Sequence, residues 1–244
     1  MSDNSTATFN EVYDKPDFYY GREVRPEFVE FVQKRSLRGR LGLDLGCGEG
    51  RYSLYLARRG CRVTGIDRSE AGLTKLEKIA RRERLPVTTR QLDVADFDYP
   101  EDAYDIVVAA TILDHLDETA RRRTIAGLKK TVKPSGIVYI NVFTEADPGA
   151  AAGESGGESS RNSTGENTGL DHAGRVSDTA GCMAYYFAPE ELKTLFDDWK
   201  IQYYYEGLEP DLSHGQPHYH GWACLLAIRP AESADIRPNA LDRP

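Results

Sequence analysis

Three groups of residues have types and spacings that can do chemistry. The first is Gly46-Cys-Gly-Glu-Gly50, with Asp44 two residues ahead of it. A glycine turn that opens a helix lets a nucleotide-like ligand come close to backbone N–H groups. The second is Asp67, roughly twenty residues further on, the place where an acid bonds ribose hydroxyls in doubly wound folds. A loop acid or a helix-dipole partner is its plainer role. The third is histidine: His115, and the group His214, His218 and His220. Imidazole serves as a base, an oxyanion donor or a metal ligand. Arg22 and Arg25 can draw in an anionic substrate or simply be surface charges.

The elements that must position these groups follow from periodicity. Leu41, Leu43 and Leu45 alternate with Gly42 and Asp44 as a short buried parallel strand. Tyr52, Leu54, Tyr55 and Leu56 then start a helix that Gly60 can cap. Residues 61–67 read as a second strand, and Ser69 caps a helix bearing Leu73, Leu76, Ile79 and Ala80. Strands at 87–92, 104–110 and 137–143 follow, the last two separated by a helix from about Asp117 to Val132. Pro134-Ser-Gly136 ends that helix. Pro26 opens a helix with Phe28, Val29, Phe31 and Val32 inward. Late in the chain, Pro189 opens a helix with Leu192, Leu195, Phe196 and Trp199 on one face. Strands at 200–206 and 222–228 then pair as an antiparallel hairpin. Strict β-α alternation implies right-handed crossovers and an α/β fold: a Rossmann-like, doubly wound, seven-stranded sheet, mostly parallel with an antiparallel C-terminal hairpin.

The glycine turn does not fit a dinucleotide site. The G-x-G-x-x-G pattern counted from Gly46 needs a small residue where Arg51 stands. The actual spacing is G-x-G-x-G. The run Leu43-Asp-Leu-Gly-Cys-Gly-Glu-Gly50 resembles motif I of the class I S-adenosylmethionine-dependent methyltransferases. Asp67, Asp93-Val94 and Leu113-Asp-His-Leu116 follow strands two, three and four in the order that family shows. The resemblance covers roughly residues 10–146 and 182–229 and implies S-adenosyl-L-methionine as cofactor. It implies that Asp44, Gly46, Cys47 and Gly48 face the methionine part and that Asp67 and Arg68 lie at the ribose. Asp93 and Val94 would edge the adenine, and Ala110 and Thr111 would line the methionine side. Within the family, Tyr13-Asp-Lys-Pro-Asp-Phe-Tyr-Tyr-Gly21 and Tyr186-Phe-Ala-Pro-Glu-Glu-Leu192 are loosely similar to the tellurite-resistance type. Members of that type methylate oxyanions of tellurium and selenium, and relatives act on small organic nucleophiles. The segment 147–181 departs from the family pattern.

The expected function is therefore methyl transfer to a small acceptor: a metalloid oxyanion, a thiol or a phenol. The alternative is a catalytically silent module that binds the cofactor. His115, just after the fourth strand, is the candidate base, with ordering of its loop as its plainer role. Tyr13, Tyr19, Tyr20, Arg25 and His218 are candidate substrate or lid residues. The aromatic stretch they begin either packs on the domain surface or roofs the cofactor. His218 and His220 share a strand face, and three close histidines can hold a transition metal. Without a carboxylate or thiol at fixed spacing, the expectation is no metal.

Composition bounds the rest. The 244 residues carry 31 basic and 39 acidic side chains, a formal net charge of −8, which argues against a nucleic-acid partner. Arg121, Arg122 and Arg123 read as a solvated helix face. No apolar run is long enough for a membrane span, and residues 1–8 lack an apolar leader core. Cys47, Cys61, Cys182 and Cys224 show no C-x-x-C spacing, which suits reduced thiols in the cytoplasm. One domain over 10–230 is expected, with a disordered start at 1–9, a flexible insertion at 147–181, either linker or lid, and a loose tail from 231. The oligomeric state is left open, a homodimer included.

Overall fold

The computed structural model describes residues 4–152, 175–177, 182–211 and 217–231. The elements run α1 (Asn4–Tyr13), α2 (Pro26–Val32), β1 (Leu41–Leu45), α3 (Arg51–Arg58), β2 (Arg62–Asp67), α4 (Glu70–Glu83), β3 (Val87–Gln91), β4 (Tyr104–Ala110), α5 (Glu118–Thr131) and β5 (Val132–Phe143). After them come α6 (Pro148–Ala152), β6 (Arg175–Ser177), β7 (Cys182–Ala184), α7 (Glu191–Thr194), β8 (Lys200–Asp211) and β9 (His218–Ile228).

Seven strands form one sheet in the order β3-β2-β1-β4-β5-β9-β8, and β6 and β7 form a small separate pair. Strands β1 to β5 are parallel, while β9 runs antiparallel to both β5 and β8. This is the expected architecture. The order reverses at β1, so the carboxyl ends of β1 and β4 border the crevice where open α/β sheets bind ligands.

The sheet is apolar on both faces, as a parallel sheet covered by helices must be. One face packs Leu43, Leu45, Val107 and Ala109 against Ile125 and Leu128 of α5 and Leu192 and Phe196 of the α7 region. The other packs Val63, Ile106, Val108 and Tyr139 against Phe28 and Val32 of α2 and Tyr52 and Leu56 of α3. Helix starts follow the expected chemistry. Pro26 opens α2. The Ser69 hydroxyl accepts from Gly72 N at the start of α4, and Asp117 accepts from Ala120 N at the start of α5.

Several local expectations give way to tertiary contacts. The chain is helical from Asn4, not loose through residue 9, because Phe9 and Tyr13 stack at helical spacing and Tyr13 is buried. Pro134 does not end α5. That helix stops at Thr131, and β5 starts at once with Pro134 near its beginning, where a strand tolerates proline. The C-terminal hairpin is longer than expected at its open end, and α7 is shorter, yet Leu192, Phe196 and Trp199 are still buried. Arg121 is not on a solvated face: it is buried, with its guanidinium 3.4 Å from the centre of the Tyr185 ring. The described chain continues past 147 into α6, and most of the insertion and the tail lie outside the described residues. Among the described residues no helix is long and apolar enough to cross a membrane.

Candidate functional site

The site begins where β1 ends. Gly46, Gly48 and Gly50 all have positive φ, 64°, 49° and 88°, so the chain coils tightly before α3. The turn closes largely on itself. Cys47 N donates to Ile66 O, Gly50 N to Cys47 O, and Gly48 N to Asp67 Oδ2 at 2.7 Å. These three N–H groups therefore do not point out at a ligand, contrary to the nucleotide-loop expectation. A pyrophosphate cradle needs such donors free. The space beside the glycines is taken by protein: a Cβ at Gly46 would stand 2.7 Å from Ile112, at Gly48 2.9 Å from Tyr13 Oη and at Gly50 2.3 Å from Leu76.

Asp67 is the hinge of this arrangement. Its other oxygen accepts from Ser69 N at 2.8 Å, so one carboxylate joins the glycine turn to the start of α4. A carboxylate has about four acceptor positions, so two remain for hydroxyls of a bound sugar. Burial raises its pKa, and the N–H donors oppose that rise. Asp93 lies nearby: Leu92 N bonds Asp67 O, and the Asp93 carboxylate caps the following turn by accepting from Ala95 N. Arg68 stands 3.5 Å from Asp93, and Val94 is buried. Cys47 is buried too, and burial pushes its thiol up, so it is packing material and no nucleophile.

Asp44 sits beneath the turn. It is buried and accepts from Ser53 Oγ at 2.6 Å, which ties β1 to the first turn of α3. Burial first of all pushes its pKa from 3.8 to about 7, against the Ser53 hydrogen bonds. A carboxyl raised on folding binds its proton more tightly in the native chain. Its contribution to stability is then fully present below pH 4 and is lost as pH rises towards 7. Asp44→Asn should flatten the fall of stability across that window, read as urea midpoints at successive pH values. The slope removed is at most about 1.4 kcal/mol per pH unit. An unchanged profile would place the proton elsewhere.

On the other side of the crevice, Ala110 and Thr111 close β4. Thr111 has φ 51°, a conformation that β-branched residues rarely adopt. Thr111 N donates to Asn141 O at 2.9 Å, which holds the strained residue against β5. Strain of about 1–3 kcal/mol persists only where surroundings enforce it, and it gathers at binding sites. His115 follows, half-buried, with its ring edge-on to Phe9 at 5.5 Å and Phe143 at 6.3 Å. Its buried Nδ1 has no hydrogen-bond partner among the described residues, and neither does the buried Oδ1 of Asn141. Such atoms are expensive unless a ligand or water meets them. No carboxylate among the described residues meets that Nδ1 as one meets the orienting nitrogen of a triad base.

The N-terminal segment packs against the glycine turn and the start of α4. Tyr13 is buried with its hydroxyl at Gly48: a Cβ there would lie 2.9 Å from Tyr13 Oη. Asn10 Oδ1 accepts from Ser69 Oγ and Ala71 N, so α1 is fastened to the start of α4. Glu49, inside the glycine turn, is buried and pairs with Lys75 at 2.6 Å while accepting from Tyr19 N. Lys75 also donates to the carbonyls of Lys15 and Asp17. Arg51 donates to Tyr20 O. These contacts pack the aromatic stretch on the domain beside the glycine turn, as both of its readings require. Sequence reasoning missed Glu49, Lys75 and Asn10; a charged residue within a glycine turn was the available signal.

Arg25 does not stand open to an anion. It pairs with Glu27 at 2.7 Å and Glu209 at 2.6 Å, which tie the start of α2 to β8, and the two partners raise its pKa against desolvation. Arg22 lies over the Phe18 ring. His218 is separate from the glycine turn and sits beside His220 at the start of β9. His214 lies outside the described residues.

Comparison with known proteins agrees with this geometry. Residues 43–136 match a family model described as a methyltransferase domain, which takes in the glycine turn, Asp67, Asp93 and His115. A ubiquinone biosynthesis O-methyltransferase of Methylococcus capsulatus is 32% identical over 125 residues, 50% of this chain and 52% of that protein. The chain thus spans about half the length of the curated relatives it matches. Among solved structures, TehB from Haemophilus influenzae superposes with TM-score 0.64 at 22% identity, covering 84% of this chain and 62% of that one. A Burkholderia thailandensis 1,6-didemethyltoxoflavin-N1-methyltransferase, solved with 1,6-didemethyltoxoflavin and S-adenosylhomocysteine, gives 0.63 at 18%, covering 94% and 92%. Over residues 43–136 the family match, the glycine turn and the sheet order agree on a methyltransferase domain of the class I S-adenosylmethionine-dependent type.

Proposed function

We propose that the protein transfers the methyl group of S-adenosylmethionine to an oxygen nucleophile on a small molecule. The observation that carries this reading is Asp67, whose carboxylate joins the glycine turn to the start of α4 with acceptor capacity to spare, at the position where the resemblance implies the ribose. The residues present fit that cofactor. The turn makes no phosphate cradle, which suits a cofactor without phosphates, and the unmet Nδ1 of His115 and Oδ1 of Asn141 are waiting polar contacts. The curated relatives being O-methyltransferases supports an oxygen acceptor such as a phenol, whereas a tellurite or selenite acceptor would take the methyl on tellurium or selenium.

The cofactor, when bound, supplies an electrophilic methyl on a sulfonium. Transfer from it is an in-line displacement, so the protein's work is alignment and exclusion of water. Asp67 and the turn fix the ribose end. Tyr13 and the segment held by Glu49 and Lys75 cover it. His115, between Phe9 and Phe143, stands where an acceptor hydroxyl can meet an imidazole nitrogen. An acceptor that arrives as an anion needs no base, and then His115 only positions it.

Incubation with methyl-labelled S-adenosylmethionine and a panel of phenols, tellurite, selenite, thiols and amines tests the reading. The expected result is label in an oxygen acceptor. Label only in a thiol, an amine, or on tellurium or selenium would overturn the acceptor class. Tight cofactor binding without transfer to any member would favour the silent binding module.

A further inference from the structure

A second constellation lies at the open end of the β8–β9 hairpin, beyond Phe143. Asp211 ends β8 and His218 begins β9, directly opposite each other in the antiparallel register. His220, two residues on, projects from the same face of the strand. His218 Nε2 and His220 Nε2 are 2.9 Å apart, and Asp211 Oδ2 is 4.0 Å from His220 Nε2. All three ligand atoms lie within 4.8 Å of one another.

A fourth residue completes the arrangement from elsewhere in the chain. Asp147, just after β5, is buried and its Oδ2 lies 2.7 Å from His220 Nδ1. The same oxygen accepts from Gly221 N at 3.1 Å. An ionised carboxylate can only accept, so Nδ1 carries the proton and the lone pair of His220 is on Nε2, facing His218 and Asp211. This is the carboxylate–histidine support that metal-binding imidazoles use to fix tautomer and ring orientation. Gly221 makes it possible: a Cβ there would stand 2.3 Å from Asp147 N. Phe143 and Trp222 flank the His220 ring at 4.8 and 5.3 Å and hold it in place.

We propose that Asp211, His218 and His220 form a binding site for a transition-metal dication of the zinc type, with Asp147 as the orienting carboxylate. Two imidazoles and one carboxylate are a borderline-soft donor set, and they leave a coordination position open. Donor atoms on a tetrahedral zinc sit about 3.3 Å apart, given bonds of about 2.0–2.1 Å. The observed 2.9 and 4.0 Å bracket that spacing, so small side-chain rotations complete the site. Asp211 and His218 are half-buried, which leaves the ion an entry path, while His220 is buried. The expectation of no metal came from the lack of a carboxylate or thiol at fixed spacing from the histidines. Folding brings two, one from across the hairpin and one from 73 residues away. The site stands on its own geometry, whatever the chain methylates.

The test uses the full-length, tag-free protein, stripped with a chelator and dialysed. Zinc is titrated calorimetrically, and cobalt is followed by its visible absorption. One equivalent of zinc and the intense bands of low-coordinate cobalt are expected. His218→Ala combined with Asp211→Asn, both at half-buried positions, should abolish both signals while leaving the circular dichroism unchanged. Asp147→Asn should keep the stoichiometry and weaken affinity about 10- to 100-fold. Absence of saturable binding in the wild type, or binding unchanged in the double variant, would overturn the site. Neither result bears on methyl transfer, which the labelled-cofactor assay reads separately.

Discussion

Asp67→Ala is expected to weaken binding of S-adenosylmethionine and S-adenosylhomocysteine by about 10- to 100-fold, measured by calorimetry. The side chain has two duties at once. Its oxygens hold Gly48 N at 2.7 Å and Ser69 N at 2.8 Å, and both donors are left unmet in the variant. The turn then loses its tie to α4, and on the proposed reading the sugar of the cofactor loses its acceptor. A hydrogen bond to a charged group is worth about 1.5–3 kcal/mol, and about 1.4 kcal/mol is tenfold in affinity. Asp67→Asn separates the duties: its amide keeps one acceptor but sets an NH2 against the other N–H. Asparagine should fall between wild type and alanine. Affinities within about threefold of wild type for the alanine variant would move the cofactor away from Asp67.

What the sequence disclosed about this site depends on how far apart the interacting residues lie. The strand, turn and helix at 41–58 were legible because alternation of leucines and three spaced glycines are local signals. Asp67 was legible because a parallel β-α-β unit returns the chain to the same sheet edge at a fixed spacing. The N-terminal segment was only half legible. Phe9 and Tyr13 repeat at helical spacing, but Asn10 reaches Ser69 and Glu49 reaches Lys75, contacts that no short window contains. Arg121 looked solvated beside Arg122 and Arg123 because Tyr185, which it stacks on, comes 64 residues later. Asp147 looked like the start of a polar insertion, yet it is buried because Gly221 lets its backbone lie against β9. In both cases a short window held the polar residue and a distant partner decided its burial.

The glycine turn also makes a stability prediction that separates its two demands on sequence. Gly39 and Gly50 both have strongly positive φ, 76° and 88°. A methyl group added at Gly39 would meet nothing within 4 Å, so Gly39→Ala feels only the left-handed backbone, which costs about 1–2 kcal/mol. At Gly50 the methyl would stand 2.3 Å from Leu76 Cδ1 and 2.9 Å from its Cγ. Leu76 is fully buried in the cluster with Leu54, Leu73 and Ala80, so it has no open direction in which to retreat. Overpacking of that kind adds about 1–3 kcal/mol. Gly50→Ala should therefore lose about 3 kcal/mol in urea unfolding, roughly twice the loss at Gly39. Gly50 also accepts from Leu54 N to start α3, so a shift there moves the helix that Ser53 ties to Asp44. The variant should then bind the cofactor more weakly as well, whereas Gly39→Ala should not. Equal stability losses at the two positions would mean that Leu76 yields freely. The third glycine would then be needed for its backbone conformation alone, and the packing of α4 against the turn would not constrain its sequence.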